Sequence, residues 1–174
     1  MAAKNESGAA SSAFVVTRDF AAPRPVVWKA WTELDRLKKW WGPKGFTMQS
    51  CTLDLRPGGR FHYNMRGPAG AVMADLWGKL VYREVVAPER LAFVTSFSDP
   101  SGNTVRAPFS ADFPLEVLST LTFAEQGNGT KLIMRGEPIN ASDGERAFYP
   151  QMFPSMQQGW TGSLDQLAEL LAAD

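Results

Sequence analysis

The sequence predicts an α+β fold, a curved antiparallel sheet closed over one long C-terminal helix, on three observations. The first is the stretch Phe153 to Ala172, FPSMQQGWTGSLDQLAELLA, where Met156, Trp160, Leu164, Leu167 and Leu171 recur every three or four positions. On a helix these share one face, with Gly159 and Ser163 as small neighbours beside it. Burying them at about 1.5 to 3 kcal/mol each gives roughly 7 to 15 kcal/mol of gross driving force, so the stripe needs a large cover. The second is a series of short β-rich runs upstream. The third is the shortness of nearly all their connections, which leaves no room for parallel crossovers. A bent sheet over a single helix places any ligand space between the two.

Taken in order, residues 1–12 (MAAKNESGAASS) are small and polar and read as a disordered tail, which leaves 13–174 as a single domain. Phe14 to Phe20 (FVVTRDF) reads as a strand. Pro23 and Pro25 open one helical segment with Val27, Trp31 and Leu34 on a shared face, and Gly42, Pro43 and Gly45 break it within WWGPKGF. Strand runs then follow at Met48 to Leu55, Arg60 to Arg66, Val72 to Val86, Leu91 to Ser98, Leu115 to Ala124 and Thr130 to Arg135. PGG, GPAG, APE and GNG punctuate them, for about seven strands in all. Pro150 and Pro154 fit no unbroken helix, so the last helix starts or kinks at Pro154, after a shorter turn begun near Ser142 and Asp143.

If GPAG closes a tight hairpin with Arg66 opposite Ala71, then Met65 faces Val72, Tyr63 faces Ala74 and Phe61 faces Leu76, all on the concave side. The same register puts His62 opposite Asp75 and Arg60 beside Trp77 on the outer side. Between Ser98 and Leu115 runs a long Pro- and Gly-rich connection. Its Phe109 and Phe113 either cover one mouth of the cavity or pin a surface loop.

With 174 residues, 44% of them hydrophobic, and a formal net charge of zero, the chain can bury one core. It carries no electrostatic footprint of a nucleic-acid or anionic-membrane binder. No apolar run reaches the ~20 residues that span a bilayer, so no membrane insertion is expected. Cys51 has no intramolecular disulfide partner and the first dozen residues lack the apolar core of a secretory signal, which together predict a cytoplasmic protein. A homodimer is left open.

Candidate chemistry is sparse. His62 is the single histidine, and the register above makes it a surface partner of Asp75 rather than a base. One His and one Cys give no metal-ligand spacing, and Cys51 reads as a small buried hydrophobe. Pro57 to Gly59 is a turn and not a phosphate loop, since no GK[ST] follows. No metal, cofactor or catalytic residue is therefore expected. What remains is apolar: Phe61, Tyr63, Met65, Met134, Met152, Met156 and Trp160 point into the space between helix and sheet, with Trp40 or Trp41 at its rim. Each alone reads as core; as a set rich in Met they suggest an adaptable binding wall.

TELDRLKKWWGPKGF, LRPGGRFHYNMRGPAG, WGKLVYREVVAPERL, SFSDPSGN and MQQGWTGSLDQLAELL occur in that order, and together they resemble the START-like (SRPBCC) superfamily. Within it they are most similar to the bacterial subgroup named after the activator of the heat-shock protein 90 ATPase. The resemblance runs from about Phe14 to Leu171. It implies a helix-grip fold with a seven-stranded antiparallel sheet, two short helices at one end and a hydrophobic cavity under the long helix. The superfamily includes lipid carriers, aromatic-polyketide cyclases, antibiotic self-resistance proteins and a cochaperone domain, so the fold leaves function open. Relatives tend to carry RHP and then WPLE in the long loop; here Arg106, Ala107 and Pro108 precede Phe113, Pro114, Leu115 and Glu116, which implies a different ligand. The leading expectation is a non-catalytic carrier, sensor or sequestering protein for a small hydrophobic, aromatic or lipid-like molecule. The alternatives are a cyclase, dehydratase or hydrolase using Tyr63, and a cochaperone-like interaction module.

Overall fold

Alternating apolar residues set the long strands, and one face of each must be buried. The computed structural model describes residues 13–71 and 73–173, so the tail at 1–12 and Val72 lie outside the described residues. The order is β1 (Phe14–Phe20), α1 (Arg24–Thr32), α2 (Leu34–Trp40), β2 (Thr47–Leu53), β3 (Arg60–Arg66), β4 (Asp75–Val86), β5 (Arg90–Ser98) and β6 (Thr104–Val105). Then come β7 (Glu116–Gln126), β8 (Gly129–Ile139), α3 (Asp143–Phe148), a 3-10 turn at Tyr149–Met152, and α4 (Phe153–Ala173). The sheet runs β1-β8-β7-β5-β4-β3-β2, antiparallel throughout, with α4 packed against β1 and both short helices.

The eighth strand is the two-residue β6, which pairs with Phe97 and Ser98 beyond the point where β7 leaves β5. It lies inside the long connection, and a two-residue strand carries no alternation to read. The N-terminal helical segment is also not continuous. Glu33 is extended (φ −106°, ψ 129°), which ends α1 and starts α2. The break gathers Trp31, Trp40 and Trp41 into edge-on contacts with ring centres 4.7 to 5.7 Å apart. At the other end Ser142 Oγ accepts the Glu145 N–H (3.1 Å) as the cap of α3. Pro150 falls in the 3-10 turn and Pro154 in the first turn of α4, where a missing N–H is tolerated.

The β3–β4 register corrects the tight-hairpin expectation. Arg66 stands opposite Asp75, Met65 opposite Leu76, Tyr63 opposite Gly78 and Phe61 opposite Leu80, a slip of four from the pairing with Ala71. The cause is the loop. The Gly67 N–H bonds the Ala74 carbonyl (3.0 Å) around an inner turn closed by the Ala71 N–H and the Pro68 carbonyl (3.0 Å). Four is even, so the concave face keeps Phe61, Tyr63 and Met65 while their partners change.

Candidate functional site

The inward residues of the four central strands explain why the interior is only partly filled. Toward one end they are large: Leu80 and Tyr82 on β4, Leu91 and Phe93 on β5, Leu121 and Phe123 on β7, and Leu132 and Met134 on β8. Two residues further along each strand, toward the other end, stand Gly78, Thr95, Ser119 and Gly136. The ladders place these small residues on a diagonal across the sheet, with Leu80 opposite Thr95, Thr95 opposite Val117, and Ser119 opposite Gly136. Above that diagonal α4 presents Met156, Gly159, Trp160 and Ser163, with the Trp160 indole packed beside Trp31 and Trp41. A cavity of about 590 Å³ results.

Of the residues expected there, Trp41, Tyr63, Met65, Met134, Met152, Met156 and Trp160 line the cavity. Phe61 and Trp40 do not. Phe61 is completely buried one layer below, against Trp41 (5.6 Å) and Tyr63 (5.1 Å). Trp40 is turned into the α1–α2 junction, where its Nε1–H donates to the Ala30 carbonyl (2.8 Å). Thr95, Ser119 and Gly136 also line the cavity and give no signal in the sequence, because small residues in a strand add nothing to an apolar pattern; Gly78 lies beneath the Tyr63 ring. Gly78 is required sterically: a Cβ there would collide with the Tyr63 hydroxyl.

Tyr63 is fully enclosed and burial pushes its pKa up to about 12, opposed by a hydrogen bond with the Trp41 indole. The phenol therefore keeps its proton. Tyr149 O–H donates to the Gly136 carbonyl (3.2 Å), and burial followed by the Glu137 charge raises its pKa as well. Ser163 Oγ is committed to the Gly42 carbonyl (2.8 Å), which Gln166 Nε2 also reaches (2.8 Å), so α4 is tied to the chain following Trp41. Among the described lining residues there is no Asp, Glu, His, Lys, Arg or Cys.

The long connection forms one wall. Phe109 contacts Phe97 (5.8 Å) and Phe113 (5.3 Å), and Phe113 reaches Tyr149 (5.9 Å), so the aromatic contacts continue to Phe153 and Phe14. Phe109 is 40% exposed at the rim, and the loop is both pinned and part of the lining. Arg106 fastens it to α3 through Glu145 (3.2 Å).

This geometry has counterparts. A sequence profile described as "Activator of Hsp90 ATPase homolog 1-like protein" matches residues 21–172. The chain belongs to that family. A crystal structure of a Mycobacterium smegmatis protein is similar at 28% identity, with TM-score 0.74 over 93% of this chain and 91% of that one. A Chromobacterium violaceum protein matches at 25% identity, TM-score 0.68, over 91% and 96% of the two chains. An AHSA1 protein from Silicibacter pomeroyi shares the fold at 20% identity, TM-score 0.69, over 92% and 98%. No curated protein matches. The helix-grip, START-like architecture is therefore that of the Activator of Hsp90 ATPase homolog 1-like family.

In this member of the Activator of Hsp90 ATPase homolog 1-like family, the chemically suggestive residues lie away from the cavity. His62 is on the outer face but is buried rather than a surface partner of Asp75. The four-residue slip puts it opposite Lys79, with Nε2 near Ser98 Oγ (3.1 Å) and the Asp99 carbonyl (3.2 Å) and its ring on Trp77 (5.2 Å). Asp75 instead accepts from Asn64 Nδ2 (2.6 Å). Cys51 is half-buried on the edge strand β2, so it is not the enclosed hydrophobe expected; burial raises its thiol pKa while Lys38 opposes. It lines a separate, polar cleft of about 550 Å³ between α2 and β2, with Lys38, Lys39 and Gln166. Among the described residues no cluster of metal-ligating side chains occurs and no helix is long and apolar enough to cross a membrane.

Proposed function

We propose that the chain binds a small hydrophobic molecule between the sheet and α4, acting as a non-catalytic carrier, sensor or sequestering protein in the cytoplasm. The observation that carries this reading is the cavity of about 590 Å³ whose described lining has no ionisable side chain other than Tyr63 and Tyr149. Acid–base catalysis works best with a group whose pKa lies near the working pH. Tyr63, at about 12, stays protonated and serves as a hydrogen-bond donor, not a base. A cyclase or hydrolase reaction would lack its proton acceptor. A protein-docking role would need a continuous apolar surface, whereas the large exposed apolar residues Val15, Val86, Val105 and Phe109 are spread over β1, β4, β6 and the loop.

Native mass spectrometry of the purified protein, followed by thermal-shift screening of neutral aromatic and lipid-like metabolites, tests the proposal. A ligand present at 100 times its dissociation constant stabilises the fold by about 2.7 kcal/mol and raises the melting temperature accordingly. No retained molecule and no shift across a broad library would refute the binding role.

A further inference from the structure

The floor of the cavity is not uniformly greasy. The concave sheet face presents three hydroxyls: Tyr63, whose ring end lies over Gly78, then Thr95, then Ser119. Leu80 is opposite Thr95, so Gly78 is its diagonal neighbour; Val117 is opposite Thr95, so Ser119 is the next diagonal step. Diagonal neighbours on a sheet face are about 7 to 8 Å apart between backbones, so the three residue positions Gly78, Thr95 and Ser119 form a row across two strand gaps. The side-chain hydroxyls of Thr95 and Ser119 make no hydrogen bond with the rest of the described chain, although Ser119 is only 7% exposed. Tyr63 is engaged only by the Trp41 indole, which can only donate, so the phenolic proton itself is uncommitted. These hydroxyls open onto the cavity rather than being sealed in the core, so a complementary ligand oxygen can take up their free hydrogen-bonding capacity.

The rest of the lining decides the ligand's charge. With no Lys, Arg or His among the described lining residues, a carboxylate or phosphate in the cavity would lose its water without gaining a counter-charge. The same holds for an ammonium group, which would find no Asp or Glu. Two groups of aromatic rings in the lining, Trp41 with Trp160 and Phe97 with Phe109 and Phe113, suit a flat ring system. Building on the binding role above, we propose that the ligand is an uncharged, ring-containing molecule bearing carbonyl or hydroxyl oxygens at two or more separated positions, held by Tyr63, Thr95 and Ser119. This excludes free fatty acids, other carboxylates and plain hydrocarbons as its preferred occupants.

A matched set of tricyclic probes tests this by quenching of tryptophan fluorescence: 2-(hydroxymethyl)anthraquinone, anthraquinone-2-carboxylate and 2-methylanthracene. The neutral oxygenated probe should bind at least about 100-fold tighter than the near-isosteric carboxylate, given the cost of burying an unpaired charge. Ser119→Ala, Thr95→Val and Tyr63→Phe should each weaken it about 3- to 10-fold, and leave 2-methylanthracene within about twofold. The hydrocarbon readout separates loss of a hydrogen bond from loss of the fold. If 2-methylanthracene binds as tightly as the oxygenated probe and the variants change nothing, the hydroxyl row is not a recognition element, while the binding role stands. Tighter binding of the carboxylate also overturns the inference. Failure of all three probes to bind overturns both.

Discussion

The two halves of α4 lie on the same sheet and differ in what they meet there. Leu164, Leu167 and Leu171 are buried against large inward residues, in one cluster with Trp28, Trp31, Phe123 and Leu132. Met156 and Trp160 continue the same stripe yet are only partly buried, because the strands beneath them have changed to Gly78, Thr95, Ser119 and Gly136. One amphipathic helix therefore serves as core at one end and as cavity wall at the other. The sheet's side-chain sizes make the difference, and the helix's periodicity does not.

The largest expected effect separates the halves directly. Leu167→Ala, at a completely enclosed position, should cost about 3 to 4 kcal/mol in urea denaturation. Met156→Ala should cost under about 1 kcal/mol, since it enlarges space that is already open. Equal losses would mean that the hollow end is packed like the core.

Alkaline titration comes next. All three of the chain's tyrosines are raised chiefly by burial, Tyr63 to about 12. A folded-state pKa above the unfolded value of about 10 means that their stabilisation is complete below about pH 10 and is lost as pH rises toward 12. Ultraviolet absorbance should accordingly show no tyrosinate forming near pH 10 in the folded protein. A bound ligand should move the titration of Tyr63 and Tyr149, which line the cavity, and leave that of Tyr82, which belongs to the filled end.

Much of this was legible in the sequence, and the part that was not has a physical cause. The α4 stripe, β1 and β3 appear where period and turn residues placed them, because strong alternation and breakers mark element type and ends. The tight GPAG hairpin was the wrong register, yet the slip was even, so the inward set on β3 was still readable. Trp40 and Phe61 fill the core rather than line the cavity, a difference the sequence cannot carry, because an inward aromatic looks the same there in either role. The small-residue diagonal was invisible for the converse reason: its members sit on different strands, and only the register brings them together.

Two smaller effects sharpen the contrast. Ser119→Leu should fill part of the hollow, weakening a neutral tricyclic probe by at least about 30-fold, roughly 2 kcal/mol, while stability in urea shifts by less than about 1 kcal/mol. Strong destabilisation instead would mean that no free volume exists above Ser119. Tyr149→Phe removes the donor to the Gly136 carbonyl and should cost about 1 kcal/mol, visible as a small drop in melting temperature.

The most direct test follows the methionine methyl groups by NMR while 2-(hydroxymethyl)anthraquinone is added. Met65, Met73, Met134, Met152 and Met156 line the cavity, and Met48 sits on β2 outside it. Ligand held between sheet and α4 should give saturable shifts for the five cavity methyls with Met48 unmoved; shifts led by Met48, or none in the five, would place binding elsewhere or nowhere.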